Sequence, residues 1–383
     1  MSRLTEKLYY EDAYISNFSA TVLEIEKTDR GYLVVLDRTA FFPEEGGQSA
    51  DTGYIGDARV IDVTEHGGVI YHLTATRPTA ITVSCSLDFD ERFEKMQLHS
   101  AEHILCGIIH KMFGLDNVGF HLGDDEVTFD ISSPLTRDQL DAVESAACEA
   151  VFRNIRIETS FPTQDELSAI QYRSKLDILD NVRLVKIGDV DTCACCAPHV
   201  LYTGEIGAIK LLHAERHRGG MRIWMCAGRR AVLDYRNKFE NISRVSALLS
   251  VPARDTADAL ERYIAETEKL KFLLKSARSK YAEALAAGVT PTDGNLVAYI
   301  EDGGVEELRS FVNSAIDKVG GVLVALCGTD GDYKYLIASR DRDLSSDVKE
   351  YNAALSGRGG GRGGAVQGSF AAPLSKIKAY FEN

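Results

Sequence analysis

Gln97-Leu98-His99-Ser100-Ala101-Glu102-His103-Ile104-Leu105 reads as helix, because Met96, Ile104, Leu105, Ile108, Ile109 and Phe113 recur at helical spacing. On that helix His99 and His103 stand four apart, so both rings point the same way. Such a pair suits one metal ion. Far along the chain, Cys193-Ala194-Cys195-Cys196-Ala197-Pro198-His199-Val200 offers a second pair at the same spacing, Cys195 and His199. Three imidazoles and a thiolate are a ligand set that zinc accepts. Rival ligands exist: Cys106 and His110 share the helix face of His103, and Cys193 or Cys196 replaces Cys195 after a small change of register. Helices and strands are mixed around the two pairs, so the fold reads as α+β and brings the pairs together.

Outward from the helix, residues 1–90 read as short strands. Thr21-Val22-Leu23 and Tyr32-Leu33-Val34-Val35-Leu36 flank the turn Asp29-Arg30-Gly31; Val60 to Val63 and Val69 to Leu73 flank another at His66-Gly67-Gly68; Ile81 to Cys85 adds a strand. Frequent turns between short strands suggest a small N-terminal β-barrel. Pro43 to Gln48 and Asp51-Thr52-Gly53 read as loops of solvated turn residues.

Residues 91–235 mix helices and strands: a hairpin over Gly119–Asp130, a helix over Thr136–Arg153, and strands at Arg183–Ile187, Ile206–Leu212 and Arg222–Met225. Residues 236–290 form a helical linker in which Leu260, Thr267, Leu274 and Tyr281 alternate with Tyr263, Leu270, Ala277 and Ala284. That heptad pattern, about three to four repeats long, suits a coiled-coil hairpin or a dimer seam. Residues 291–383 form a last α/β domain, with buried strands at Val319–Gly328 and Tyr335–Ser339. Its Gly357-Arg358-Gly359-Gly360-Gly361-Arg362-Gly363-Gly364 run lacks the Lys-Ser/Thr of a Walker loop and reads as a flexible loop, or as amides plus two arginines that hold phosphate.

The composition, 45% hydrophobic and 26% charged over 383 residues, is that of a globular chain of two to three domains at roughly 150 residues each. No apolar run nears the roughly 18 residues of a membrane span, and the N-terminus lacks a signal-peptide core, so a cytoplasmic protein without membrane contacts is expected. The net charge of −14 argues against indiscriminate nucleic-acid binding. From Gly207 to Arg230 the sign inverts locally: Lys210, Arg216, Arg218, Arg222, Arg229 and Arg230 stand against Glu215 alone. That run is a candidate phosphate-binding face. Clustered cysteines in such a chain suggest metal or redox chemistry before disulfides.

His99-Ser100-Ala101-Glu102-His103 also fits His-x-x-Glu-His, the inverzincin signature, with Glu102 as general base and a glutamate further on as third ligand. A zinc metallopeptidase is the alternative this motif keeps open, although it leaves Cys195 and His199 without a role.

His99-x-x-x-His103 and Cys195-x-x-x-His199, followed by Thr203-Gly204-Glu205-Ile206-Gly207, resemble the editing domain of alanyl-tRNA synthetase, whose free-standing members are the AlaX proteins. Leu36 to Gln48 with Asp51-Thr52-Gly53 is similar to that family's barrel segment. Gly359 to Phe370 resembles the C-terminal domain shared with DHH phosphoesterases. The motifs run in the family's order over nearly the whole chain, with no aminoacylation domain ahead of them, so a long AlaX form is expected. The synthetases usually carry Cys-Gly-Gly-Thr-His where this chain has Cys195-Cys196-Ala197-Pro198-His199.

The resemblance implies an aminoacyl-tRNA deacylase: a trans-editing ester hydrolase that frees serine, and glycine as a second candidate, from mischarged alanine tRNA. It implies zinc on His99, His103, Cys195 and His199. Four protein ligands are the pattern of a structural site, so it stays open whether zinc activates water or orients substrate. Glu102 is the candidate base, and His121 and Thr128 on the adjoining hairpin are candidates for recognising the serine hydroxyl. Arg216, Arg218 and Arg222, with Arg358 and Arg362 of the C-terminal domain, are candidate tRNA contacts. A homodimer through the helical or C-terminal region, and a non-catalytic tRNA-binding module, complete the expectations.

Overall fold

The computed structural model describes residues 4–123, 126–174 and 181–382. Asp124 and Asp125 of the expected hairpin turn and the first three residues lie outside that set. The chain is mixed α+β and forms two compact units, residues 1–241 and 242–383.

In the first unit six strands close a barrel: β1 (Asn17–Thr28), β2 (Gly31–Leu36), β3 (Gly53–Ile55), β4 (Ala58–His66), β5 (Val69–Thr74) and β6 (Thr82–Leu87), in the order β1-β2-β5-β4-β3-β6. Val34, Leu36, Phe41, Phe42, Ile55, Val60, Val63, Ile70 and Cys85 fill it. Gly31 opens β2 at φ +139, where a Cβ would run into the Thr74 carbonyl, so only glycine fits. One polar ring sits inside. His72 Nδ1 lies 3.0 Å from the Val34 carbonyl and Nε2 2.8 Å from Thr39 Oγ1.

Burial pushes the His72 imidazole down to about 4, from an ordinary 6.5. Between those two values the unfolded chain takes up a proton that the barrel refuses. Stability therefore falls as pH drops from 6.5 to about 4, by about 3 kcal/mol, and this contribution is flat below that window. Urea melts between pH 7 and 4 are expected to show this slope, and His72→Asn to lessen it.

From the barrel the chain enters α1 (Phe89–Phe113), which ends at Gly114 in the left-handed conformation. The apolar stripe read from the sequence is there, but Lys95 through Ile109 is buried all round, polar side chains included. Two things cover it. One is the barrel, through Arg92, which bonds Asp51 and the Ala40 carbonyl; Asp51 is thus buried rather than a solvated turn residue. The other is a sheet of β7 (Asn117–Leu122), β8 (Val127–Ile131), β12 (Ile209–His217) and β13 (Gly220–Ala227), in the order β12-β13-β8-β7. Its inner face carries Val127, Phe129, Ile131, Ile223 and Met225. Helix α2 (Arg137–Phe152), capped by Thr136 in a capping box with Gln139, packs on the same core.

A third sheet, β9 (Ile157–Ser160), β10 (Leu184–Ile187) and β11 (Asp191–Ala194), delivers the cysteine loop. Helix α3 (Gln164–Ala169) follows β9. Thr203–Ile206 is a single 3-10 turn, so the strand expected from Ile206 begins only at Ile209. Helix α4 (Gly228–Leu249) then leaves the sheet.

In the second unit α5 (Thr256–Ala287) exposes Leu260, Tyr263, Leu270, Leu274 and Tyr281, while Ala282 and Ala286 near its end join a core with α6 (Val305–Ala315). That core covers one face of a mixed sheet: β14 (Leu296–Tyr299), β15 (Leu323–Thr329), β16 (Asp332–Ala338), β17 (Gly357–Arg362) and β18 (Ala365–Phe370), in the order β14-β15-β16-β18-β17. Helices α7 (Asp347–Ala354) and α8 (Leu374–Glu382) cover the other. The glycine run is thus the edge strand β17 and not a flexible loop. Its glycines are needed where a Cβ at Gly359 or at its partner Gly368 would strike the Tyr335 hydroxyl.

Candidate functional site

Helix periodicity brings His99 and His103 together, with ring centroids 5.3 Å apart. The loop after β11 carries Cys195 and His199 to them. His199 lies 4.9 Å from the His99 ring and 4.7 Å from the His103 ring. Cys195 Sγ stands 3.6 Å from His99 Nε2 and 3.5 Å from His199 Nε2. One ligand atom from each of the four residues lies within 4.8 Å of all the others. Metal–ligand bonds of 2.0–2.3 Å in a tetrahedron require ligand atoms about 3.3–3.8 Å apart, so the Cys195 separations suit one zinc-sized ion.

Each histidine is fixed from behind, and always through Nδ1. Gln48 Oε1 sits 3.0 Å from His99 Nδ1, Asp191 Oδ2 3.2 Å from His103 Nδ1, and Ser100 Oγ 2.9 Å from His199 Nδ1. The Gln48 and Asp191 oxygens accept only, so they keep a proton on Nδ1 and leave Nε2 for a metal. The Ser100 hydroxyl, which can accept or donate, holds the His199 ring in place. Asp191 is itself gripped by Arg173 at 2.8 and 2.9 Å. Burial opposes its charge, yet His103 and Arg173 hold its carboxyl down at about 2. Burial likewise opposes ionisation of Cys195, but His99 beside it and hydrogen bonds with all three histidines hold the thiol well below its usual range. Burial pushes His199 down to about 3 and keeps it neutral. Thiolate and neutral imidazole are the metal-binding forms, and Cys195 and His199 favour them. Against the pull of burial, Cys193, Asp191 and Cys195 raise His103 well above its usual range, so a metal there would displace a proton.

Arg183 secures the loop: its backbone carbonyl accepts from Cys195 N–H, and Nη1 donates to the carbonyls of Cys195 (2.9 Å) and Ala197 (2.8 Å). A pocket of about 390 Å³ opens on the cluster, lined by His99, Glu102, His103 and Cys193 to Cys196.

Glu102 is not a solvated helix residue. It is buried, its Oε1 accepts from Asn117 Nδ2 and from Cys106 Sγ, and its Oε2 lies 4.0 Å from His103 Nε2. Cys106 is taken up in that contact. His110 is exposed beside Asp116, so neither rival joins the cluster. Cys193 groups instead with His103 and Asp191. Among the described residues, the group that contains both helix histidines is completed by Cys195 and His199 and includes no glutamate.

His121 and Thr128 are not brought to the site. They face each other across β7 and β8, in one row with Trp224 and His213. Side chains alternate along a strand, so this row lies on the outer face, while the next residue, Phe120, packs on the His99 ring at 4.9 Å. Arg222 is also committed elsewhere, to Asp130 through two bonds of 2.8 Å. Lys210, Arg229 and Arg230 pair with Glu144, Asp90 and Glu94. Of the six cations in that run, Arg216 and Arg218 alone form no ion pair with a described residue. Arg358 and Arg362 are exposed on β17. Sequence reasoning missed Gln48, Asp191, Arg173 and Arg183. Only Gln48 carried a signal, its place in the Leu36–Gln48 segment.

Comparison with known proteins bears on this arrangement. The family model described as threonyl and alanyl tRNA synthetase second additional domain matches residues 182–223, the span that holds Cys195 and His199. The model for class II (A) tRNA synthetases matches residues 3–91, which contain the barrel. The alanyl-tRNA editing protein AlaX-L of Pyrococcus horikoshii is 25% identical over 404 residues, covering 98% of this chain and 96% of that one. The chain is thus similar to that editing protein over nearly the whole length of both. An alanine–tRNA ligase of Halobacterium salinarum is 33% identical over 352 residues, covering 85% of this chain but 38% of the ligase. The chain spans well under half the length of the alanine–tRNA ligases it matches. Among the described residues, no helix is long and apolar enough to cross a membrane.

Proposed function

We propose that the chain is a trans-editing deacylase that releases serine, and glycine as a second substrate, from the 3′-terminal adenosine of mischarged alanine tRNA. Its zinc ion would be held by His99, His103, Cys195 and His199. The observation that most supports this is the convergence of those four donors within 4.8 Å on one pocket. Zinc in that position supplies positive charge that polarises an ester carbonyl and acidifies water near it.

The remaining work falls to side chains. Gln48, Asp191 and Ser100 keep the three Nε2 atoms aimed at the ligand position. Glu102, oriented by Asn117, takes the proton of the attacking water. Alanine is spared because pocket groups that meet the serine hydroxyl stay unpaired without it, a discrimination worth up to about 10⁴-fold. Arg216 and Arg218 meet acceptor-stem phosphates, and Arg358 and Arg362 make further tRNA contacts. The exposed Leu260, Tyr263, Leu270, Leu274 and Tyr281 of α5 support a homodimer through that helix.

The test is amino-acid release from seryl- and alanyl-charged alanine tRNA by the zinc-loaded full chain. Serine is expected to leave at least about 100-fold faster than alanine. Tight tRNA binding with neither amino acid released would turn the reading into a non-catalytic binding module. Cleavage of peptides in place of esters would turn it into the peptidase.

A further inference from the structure

The pocket over the cluster has a far wall that ester hydrolysis leaves without a role. There the lining passes from His99, Glu102 and His103 to Lys7, Tyr10 and Phe161. Tyr10 is fully engaged: it meets Tyr9 edge-on at 4.7 Å, and Lys7 Nζ and the Arg183 guanidinium lie over its ring at 5.4 and 5.2 Å. Both cations are anchored in turn, Lys7 on Glu65 at 2.7 Å and Arg183 on the cysteine loop. Phe161 differs. Its ring touches Tyr10 edge-on at 5.4 Å yet is 53% exposed, which leaves a broad apolar surface on the pocket wall.

The segment that carries this ring is well fixed. β9 ends at Ser160, Pro162 follows the ring, and Thr163 caps α3 in a capping box with Glu166. A fixed aromatic surface beside a polar floor suits a ligand with one flat apolar part and one polar reacting part. Serine alone has no use for such a ring; a nucleobase does, since every base offers a π-face.

We infer that Phe161 is the stacking platform for the terminal nucleobase of the substrate, holding it while the ribose presents its ester to the cluster. This rests on the deacylase reading for the identity of the substrate. Because stacking is tolerant of sequence, the platform grips the end of any tRNA and carries no discrimination between tRNAs.

The probe is 3′-(L-serylamino)-3′-deoxyadenosine, whose amide replaces the labile ester, together with the same compound lacking the base. Affinities of the full, zinc-loaded chain are measured by calorimetry. Phe161→Ala is expected to weaken the adenosine probe roughly 5- to 100-fold, with zinc content unchanged. Phe161→Trp should bind as wild type, and the baseless probe should not distinguish the three proteins. Unchanged affinity in Phe161→Ala, equal losses for both probes, or no binding of the adenosine probe by wild type would each overturn the platform. Should Phe161-dependent binding occur without deacylation of seryl-tRNA, the platform stands and the hydrolase reading falls. Should deacylation proceed with no dependence of binding on Phe161, the reverse holds.

Discussion

Replacing His103 with alanine is expected to remove the metal and the deacylase activity together. The substitution deletes one of four converging donors and at the same time strands Asp191 and Arg173 behind an empty position. Asp191→Asn is the informative companion. It keeps the donor set and the volume but weakens the hold on His103 Nδ1, and such partners typically contribute about 10–100-fold in metal affinity. Zinc per chain, measured after dialysis against a graded chelator, should therefore fall modestly in Asp191→Asn and beyond that range in His103→Ala, with serine release following zinc content in both. Stoichiometric zinc in His103→Ala would remove the histidine from the ligand set and with it the proposed site.

The second large effect concerns how the barrel holds the site helix. Arg92 is 1% exposed, and its guanidinium bonds both oxygens of Asp51 and the carbonyls of Ala13 and Ala40. Asp51 in turn accepts from Phe42 N–H. Arg92→Ala leaves a buried carboxylate without its charge partner, which costs about 3–5 kcal/mol. Removing both charges, as in Arg92→Met with Asp51→Asn, is expected to recover part of that loss, because nothing charged then stays buried alone. Urea unfolding followed by Trp224 fluorescence checks this, since Trp224 is the chain's single tryptophan and lies in the first unit. A loss under 1 kcal/mol in Arg92→Ala would show that the pair is not what joins barrel to helix. The same pair bears on function, because the loop it pins also carries Gln48 to His99.

How much was legible beforehand follows the range of each signal. Histidines one helical turn apart share a face because of local geometry alone, and the Cys195–His199 spacing is equally local; both were readable as ligand pairs. The glycine run misled for a physical reason: glycine is usually scarce in strands, and only Tyr335, packed against Gly359 and Gly368, makes its absence of side chains an advantage. His121 and Thr128 misled because a strand declares two faces without declaring which is inward. Phe120 against His99 decides that. The basic run misled because acids from elsewhere in the chain, Asp90, Glu94, Asp130 and Glu144, neutralise four of its six cations.

By itself the sequence determined the site helix, the spacing of the candidate ligand pairs, the short strands of the barrel and the family that the motifs resemble. These rest on spacings of a few residues, set by helical and strand periodicity. Only the tertiary structure decided that Gln48, Asp191 and Ser100 aim the three imidazoles, which arginines stay free, and which aromatic ring faces the pocket. Those partners lie 51, 88 and 99 positions from the histidines they hold. No local periodicity spans such distances; burial and strand register bring them together.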